Sequence, residues 1–111
     1  ARLTSAYTPR PADLVNTTVG FALELAPSVR VNALAPGVVD TDMIRVPRVQ
    51  GVLDDLAREN AVQSELAALT ALHPLGRLGG VDDVARAALF LLDASWITGS
   101  VLTVDGGLSL A

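Results

Sequence analysis

The side chains able to do chemistry fall into a few short groups along the 111 residues. Pro36-Gly37 leads into Val38-Val39-Asp40-Thr41-Asp42. A glycine there lets the backbone approach a ligand closely, and free backbone groups with the Thr41 hydroxyl can hydrogen-bond a polar ring substituent. The same residues also read as a plain strand-to-loop turn with Thr41 as a helix cap, and residue types alone leave both readings open. Asp40 and Asp42 suit a cation or, as turn and cap residues, no ligand at all. His73 is the single histidine and cysteine is absent. A cluster of several histidines on a metal and thiolate chemistry are therefore excluded. Asp54/Asp55 and Asp82/Asp83 read as solvated helix faces or as partners of a helix dipole. Arg77 reads as an anchor for the loop before the last helix, by an ion pair, with an anion-ligand role as the alternative. Trp96, beside a strand start, reads as a packing residue rather than a stacking platform.

Composition narrows the function classes further. The net charge is −4 and no basic run occurs, which argues against a nucleic-acid partner, since a phosphate-binding surface needs clustered Lys and Arg. No stretch approaches the roughly 20 consecutive apolar residues that span a bilayer. No apolar core follows Ala1-Arg2-Leu3-Thr4, so the start does not read as a signal peptide. Half the residues are hydrophobic and only 4% aromatic, which favours a packed α/β protein. The lack of cysteine fits a reducing, cytoplasmic setting. The length admits one small domain at most.

The elements that must position these groups follow from spacing. Residues 1–11 read as irregular, because Pro9 and Pro11 remove donors and fix φ. A helix begins at Pro11 with Asp13 in its first turn, and Pro27 stops it. Its rows Leu14, Thr18, Phe21, Leu25 and Val15, Val19, Ala22, Ala26 predict a broad buried face. Val29–Ala35 reads as a strand ended by Pro36-Gly37, and Val38–Gly51 as irregular. Two helical pieces, about Val52–Asn60 and Ala61–Leu72, end at His73-Pro74. A last helix carries the stripe Val81, Val84, Ala85, Ala88, Leu91, Leu92. Val101–Val104 reads as a strand buried on both faces, as in a parallel sheet. Two parallel strands alone are not a stable unit, so this α/β arrangement is incomplete as a domain.

Three segments carry a resemblance. They are Arg30-Val31-Asn32-Ala33-Leu34-Ala35-Pro36-Gly37-Val38-Val39-Asp40-Thr41; Pro74-Leu75-Gly76-Arg77-Leu78-Gly79 with Asp82-Asp83-Val84-Ala85; and Trp96-Ile97-Thr98-Gly99-Ser100 with Val104-Asp105-Gly106-Gly107. In order and separation, from Val29 to Gly107, they resemble the short-chain dehydrogenase/reductase family. The resemblance implies that residues 12–111 form the C-terminal part of a doubly wound Rossmann-type parallel sheet, two strands with flanking helices. It implies NAD or NADP as cofactor, with Pro36, Gly37, Val39 and Thr41 holding the nicotinamide end, and a small-molecule carbonyl/alcohol pair as substrate. It also implies no metal, and a homo-oligomer assembled through the last helix and strand. Asp105-Gly106-Gly107 is assigned a structural role, and residues Asp42–Leu72 the segment that covers substrate.

The resemblance also shows what this sequence lacks. A catalytic tyrosine of the family falls on Tyr7, but the lysine expected four residues later is Pro11. Without an ammonium beside it, a tyrosine keeps a pKa near its free value of ~10. The upstream serine is not identifiable, and the Gly-rich phosphate loop is absent. The expectation is therefore a piece of an NAD(P)-dependent oxidoreductase, inactive as this isolated chain. The alternative is a truncated, non-catalytic relative that acts by pairing with itself or with a full-length homologue.

Overall fold

A computed structural model describes residues 11–45 and 54–111. Helix α1 spans Pro11–Leu25, strand β1 Ala33–Pro36, the single turn α2 Asp42–Arg45, helix α3 Asp55–Ala71, helix α4 Val81–Asp93 and strand β2 Val101–Val104; a 3-10 turn follows at Leu108–Leu110. Tyr7 and nearly all of the expected irregular segment 1–11 lie outside the described residues, and Pro11 opens α1.

Strands β1 and β2 pair in a two-stranded sheet. Ala33 N–H donates to Ser100 O at 2.9 Å and Gly37 N–H to Val104 O at 3.0 Å, so donor and acceptor advance together and the strands run parallel. Such a pair needs a long crossover, which the α2–α4 stretch supplies. The expected strand Val29–Ala35 is shorter than its apolar run and starts at Ala33, although Val31 O already accepts from Gly99 N–H at 2.7 Å. Strand β2 is not buried on both faces: Val101, Leu102 and Val104 are half-buried and Thr103 is exposed. Among the described residues each strand is an edge of this two-stranded sheet, with no further strand beside it.

The chain divides into two compact units, Ala1–Ala35 with Ala87–Thr103 and Pro36–Arg86 with Val104–Ala111. In the first, α1 buries a narrower face than its sequence predicts. Thr18 and Ala22 are buried and Leu14 half-buried, whereas Val15, Val19, Phe21 and Leu25 are exposed. Apart from Leu14, Thr18 and Ala22, the two rows find no opposing surface among the described residues. Thr18 tolerates burial because its hydroxyl donates to Leu14 O at 2.7 Å.

The same unit is tied together by two polar side chains. Helix α4 has no basic residue in its last turn to complement its carbonyl end. Arg30 supplies that cation from far away in sequence, its NH1 donating to Leu91 O at 2.8 Å and Ala94 O at 2.9 Å and its NH2 to Leu92 O at 2.8 Å. Asn32 uses both ends of its amide: Nδ2 donates to Ile97 O at 2.9 Å, and Oδ1 accepts from Ser100 N–H at 3.0 Å.

In the second unit, the two expected helical pieces are one helix, α3. No glycine or proline interrupts residues 55–71, and a half-buried stripe continues through Ala57, Ala61, Glu65, Leu66 and Leu69. Asp54 caps it, its Oδ1 accepting from Ala57 N–H at 2.7 Å. Arg77 anchors the loop before α4 as expected, donating to both carboxylate oxygens of Asp83 at 2.8 and 3.1 Å. Asp83 also reaches back to Gly80 N–H at 2.7 Å, closing the first turn of α4.

Buried residues are few: Ala22, Leu91, Thr18 and His73 among those described. Large apolar side chains remain exposed on α4, including Leu89, Phe90 and Leu92. Trp96 is 98% exposed, so its expected packing role is not seen; the described residues provide no cover for its indole. No helix among the described residues is long and apolar enough to cross a membrane.

Candidate functional site

The loop after β1 lies within the second unit, and two neighbouring segments shape it. Gly37 comes so close to Asp105 that a Cβ there would sit 2.8 Å from Asp105 Cα and 2.9 Å from its Cβ. The glycine is thus required by the approach of the chain to itself, a reason its type alone does not reveal. Beyond it, Gly79 N–H donates to Val38 O at 2.9 Å and Asp40 N–H donates to Gly79 O at 2.8 Å, making a parallel bridge at Val39.

That bridge has a stereochemical consequence. In extended chain, neighbouring residues turn their backbone groups to opposite edges. Val38 O and Asp40 N–H are spent on Gly79, so the N–H and C=O of Val39 itself face away from it. Neither takes part in a backbone hydrogen bond among the described residues. One residue therefore offers a donor and an acceptor side by side. Thr41, half-buried, follows at once, and the α2 turn closes through its carbonyl, which accepts from Ile44 N–H at 3.1 Å. The hydroxyl is not what closes that turn.

The acidic residues of the loop are committed elsewhere. Asp40 accepts from Arg45 Nε and NH2, both at 2.9 Å, in an exposed bidentate pair. The Arg45 hydrogen bond holds the Asp40 carboxyl below its usual range, against an opposing effect of desolvation and with help from the charge of Arg45. Among the described residues no group of three or more His, Asp or Glu side chains is placed to hold a metal ion. The Asp83 carboxyl is held well below the usual carboxylate range, first by Arg77 and then by the Gly80 N–H.

Asp105 organises the turn that ends β2. Its Oδ1 accepts from Gly107 N–H and its Oδ2 from Ser109 N–H, each at 2.9 Å. The Ser109 side chain first, then the Ser109 backbone N–H, lower its pKa, with smaller contributions from Gly107 and His73. Gly107 has φ +88°, and a Cβ there would meet Pro74 Cγ at 2.9 Å, so the structural role expected for this turn has a steric basis.

Of the expected site residues, Pro36 ends β1 and Gly37, Val39 and Thr41 lie on the short loop that follows, while Tyr7 lies outside the described residues. Sequence reasoning missed the roles of Arg30, Asn32 and His73. The signal for the first two was present, since polar residues flanking a buried strand need distant partners. For His73 the only signal was its place between a helix end and Pro74.

A family model described as enoyl-(acyl carrier protein) reductase, within the short-chain dehydrogenases/reductases, matches residues 2–109. The chain is similar to a 3-oxoacyl-[acyl-carrier-protein] reductase of Bos taurus, 38% identical over 107 residues covering 96% of this chain and 38% of that protein. It is also similar to carbonyl reductase family member 4 of Xenopus tropicalis, 41% identical over 97 residues covering 83% and 34%. Among solved structures, the ligand-free aldohexose dehydrogenase of Thermoplasma acidophilum superposes with TM-score 0.77 at 36% identity, over 96% of this chain and 42% of that one. A small-chain dehydrogenase in complex with NADPH gives 0.73 at 32%, over 90% and 41%. The chain spans little more than a third of the length of the curated relatives it matches. Motifs, fold and comparisons coincide: the chain belongs to the short-chain dehydrogenase/reductase family and carries the C-terminal part of its Rossmann-type fold.

Proposed function

We propose that this chain supplies the nicotinamide-facing end of an NAD(P)-dependent oxidoreductase that interconverts a carbonyl and an alcohol. The observation that carries the reading is the unspent N–H and C=O of Val39, held in place by the bridge to Gly79. A carboxamide offers one acceptor oxygen and an NH2 donor, which is the complement of that pair. The donor set therefore fits the nicotinamide end of a dinucleotide. The Thr41 hydroxyl adds a further partner, and Pro36-Gly37 fixes where the loop leaves the strand. When bound, the dinucleotide supplies or accepts the hydride. The chain's own part is to orient the ring by these contacts, a positioning contribution to the barrier.

The proton on the substrate oxygen needs a separate donor. Tyr7 is the proposed one, but Pro11 stands where a lysine would lower its pKa, so the chain alone is expected to transfer protons poorly. The names of the similar proteins, a 3-oxoacyl reductase and a carbonyl reductase, support a carbonyl substrate over an enoyl one. A second reading, a non-catalytic relative that pairs with itself or a homologue, is favoured by the exposed Leu89, Phe90 and Leu92 of α4.

Calorimetric titration of the chain with NADH and NADPH tests the division of labour. No saturable micromolar binding and no carbonyl reduction are expected, because no Gly-rich phosphate loop is found in this sequence and Tyr7 has Pro11 in place of a lysine partner. Turnover abolished by Tyr7→Phe would overturn that expectation.

A further inference from the structure

His73 follows the end of α3 with only 3% of its surface exposed, and both of its ring nitrogens are engaged. Nδ1 lies 2.7 Å from Leu69 O, and Nε2 lies 3.4 Å from the backbone N of Val38. A carbonyl oxygen only accepts, so Nδ1 must carry a proton; an amide N–H only donates, so Nε2 must be bare. One neutral tautomer satisfies both contacts. Gly106 closes over the ring, where a Cβ would come within 3.5 Å of His73 Cδ2. The adjoining Leu75 N–H donates to Gly106 O at 3.0 Å. The end of α3, the loop at Val38 and the turn after β2 thus meet on one imidazole.

We propose that His73 is a positioning residue that aligns the Val38–Thr41 loop, and with it the free N–H and C=O of Val39, only while its ring is neutral and protonated on Nδ1. The proposal rests on reading that loop as the nicotinamide end of a dinucleotide site. Protonation at Nε2 sets one N–H against another, so the ring loses its acceptor role and Val38 loses its tie. The charged groups around the ring are few. Asp105 lies in the turn after β2, and its carboxyl is committed to Gly107 N–H and Ser109 N–H. The last turn of α3, Ala68–Ala71, carries no charged side chain. Asp40 in the loop is paired with Arg45, and Arg77 beyond Pro74 with Asp83.

Nitrogen-15 ring and amide spectra of the full 111-residue chain test this. The expected result at neutral pH is the Nδ1–H tautomer with an unprotonated Nε2. As the pH is lowered until the ring takes up a proton, the Val38 and Val39 amides are expected to shift along with the ring signals. In His73→Gln, whose Oε1 can accept from Val38 but does not titrate, the loop amides should lose that pH dependence. In His73→Phe, which keeps the volume and removes the acceptor, Val38 amide exchange should accelerate roughly tenfold, about the worth of one hydrogen bond. Binding of nicotinamide mononucleotide should weaken similarly, and His73→Gln should recover both. An Nε2–H tautomer, or loop amides indifferent to the ring's titration, overturns the proposal. So does a natively folded His73→Gln that recovers neither property. If a variant loses the native spectrum, the tautomer and titration of the unaltered chain decide alone. If the latch behaves as expected but nicotinamide mononucleotide moves no loop amide, the cofactor reading fails and the latch stands.

Discussion

At the scale of single residues, Gly37 shows how a motif position acquires its identity. Its Cα rests against Asp105, and any side chain would enter the space of Asp105 backbone atoms, which are not the yielding end of a flexible chain. Gly37→Ala is expected to destabilise by about 1–3 kcal/mol, as overpacking does. The check is the urea midpoint, which should fall with the slope unchanged. The residues of the Pro36–Thr41 loop were legible in the sequence because Pro-Gly punctuates a strand end. The physical cause at Gly37 was not, since it depends on Asp105, far along the chain. His73 and Trp96 were illegible for related reasons. An isolated histidine says nothing of which backbone groups will surround it, and a tryptophan's cover depends on surfaces that its own segment does not encode.

At the scale of elements, α1, α4 and β2 were readable from proline stops and apolar spacing, with α4 and β2 falling where their patterns place them. The split expected near Asn60 was wrong because modest propensity at one position does not break a helix whose packing stripe continues. The link from Arg30 to the end of α4 was hidden by sequence distance. Arg30→Met should leave the last carbonyls of α4 without their cation and cost roughly 2 kcal/mol or more. Urea unfolding measures it, with Arg30→Lys recovering part of the loss through charge without the planar fork.

The opposite end of α4 gives a pH signature. The Asp83 carboxyl has its pKa lowered in the folded chain, so its contribution is complete above the unfolded value of about 3.9. It is lost as pH falls through the lower folded value. The difference in Tm between the chain and Asp83→Asn is therefore expected to be constant above about pH 5 and to shrink towards zero in stronger acid. A difference that persists unchanged in strong acid would assign the effect to packing rather than to charge.

For the whole molecule, the parallel pair β1–β2, the narrow buried face of α1 and the exposed apolar residues of α4 describe one situation. Apolar patterning suited to a larger sheet is present, and the described residues cover only part of it. Coverage of little more than a third of the matched relatives agrees with that picture. Family and fold class are thus written in motifs that a short segment carries. The central claim is that the segment keeps the nicotinamide end of a dinucleotide site, centred on Val39. The most direct measurement is amide shift mapping of the chain against nicotinamide mononucleotide and, separately, adenosine diphosphate ribose, each at high excess. The expected result is saturable movement of the Val39 and Thr41 amides with the nicotinamide compound and none with the other. Movement with adenosine diphosphate ribose alone, or no movement of Val39 with either, would contradict it.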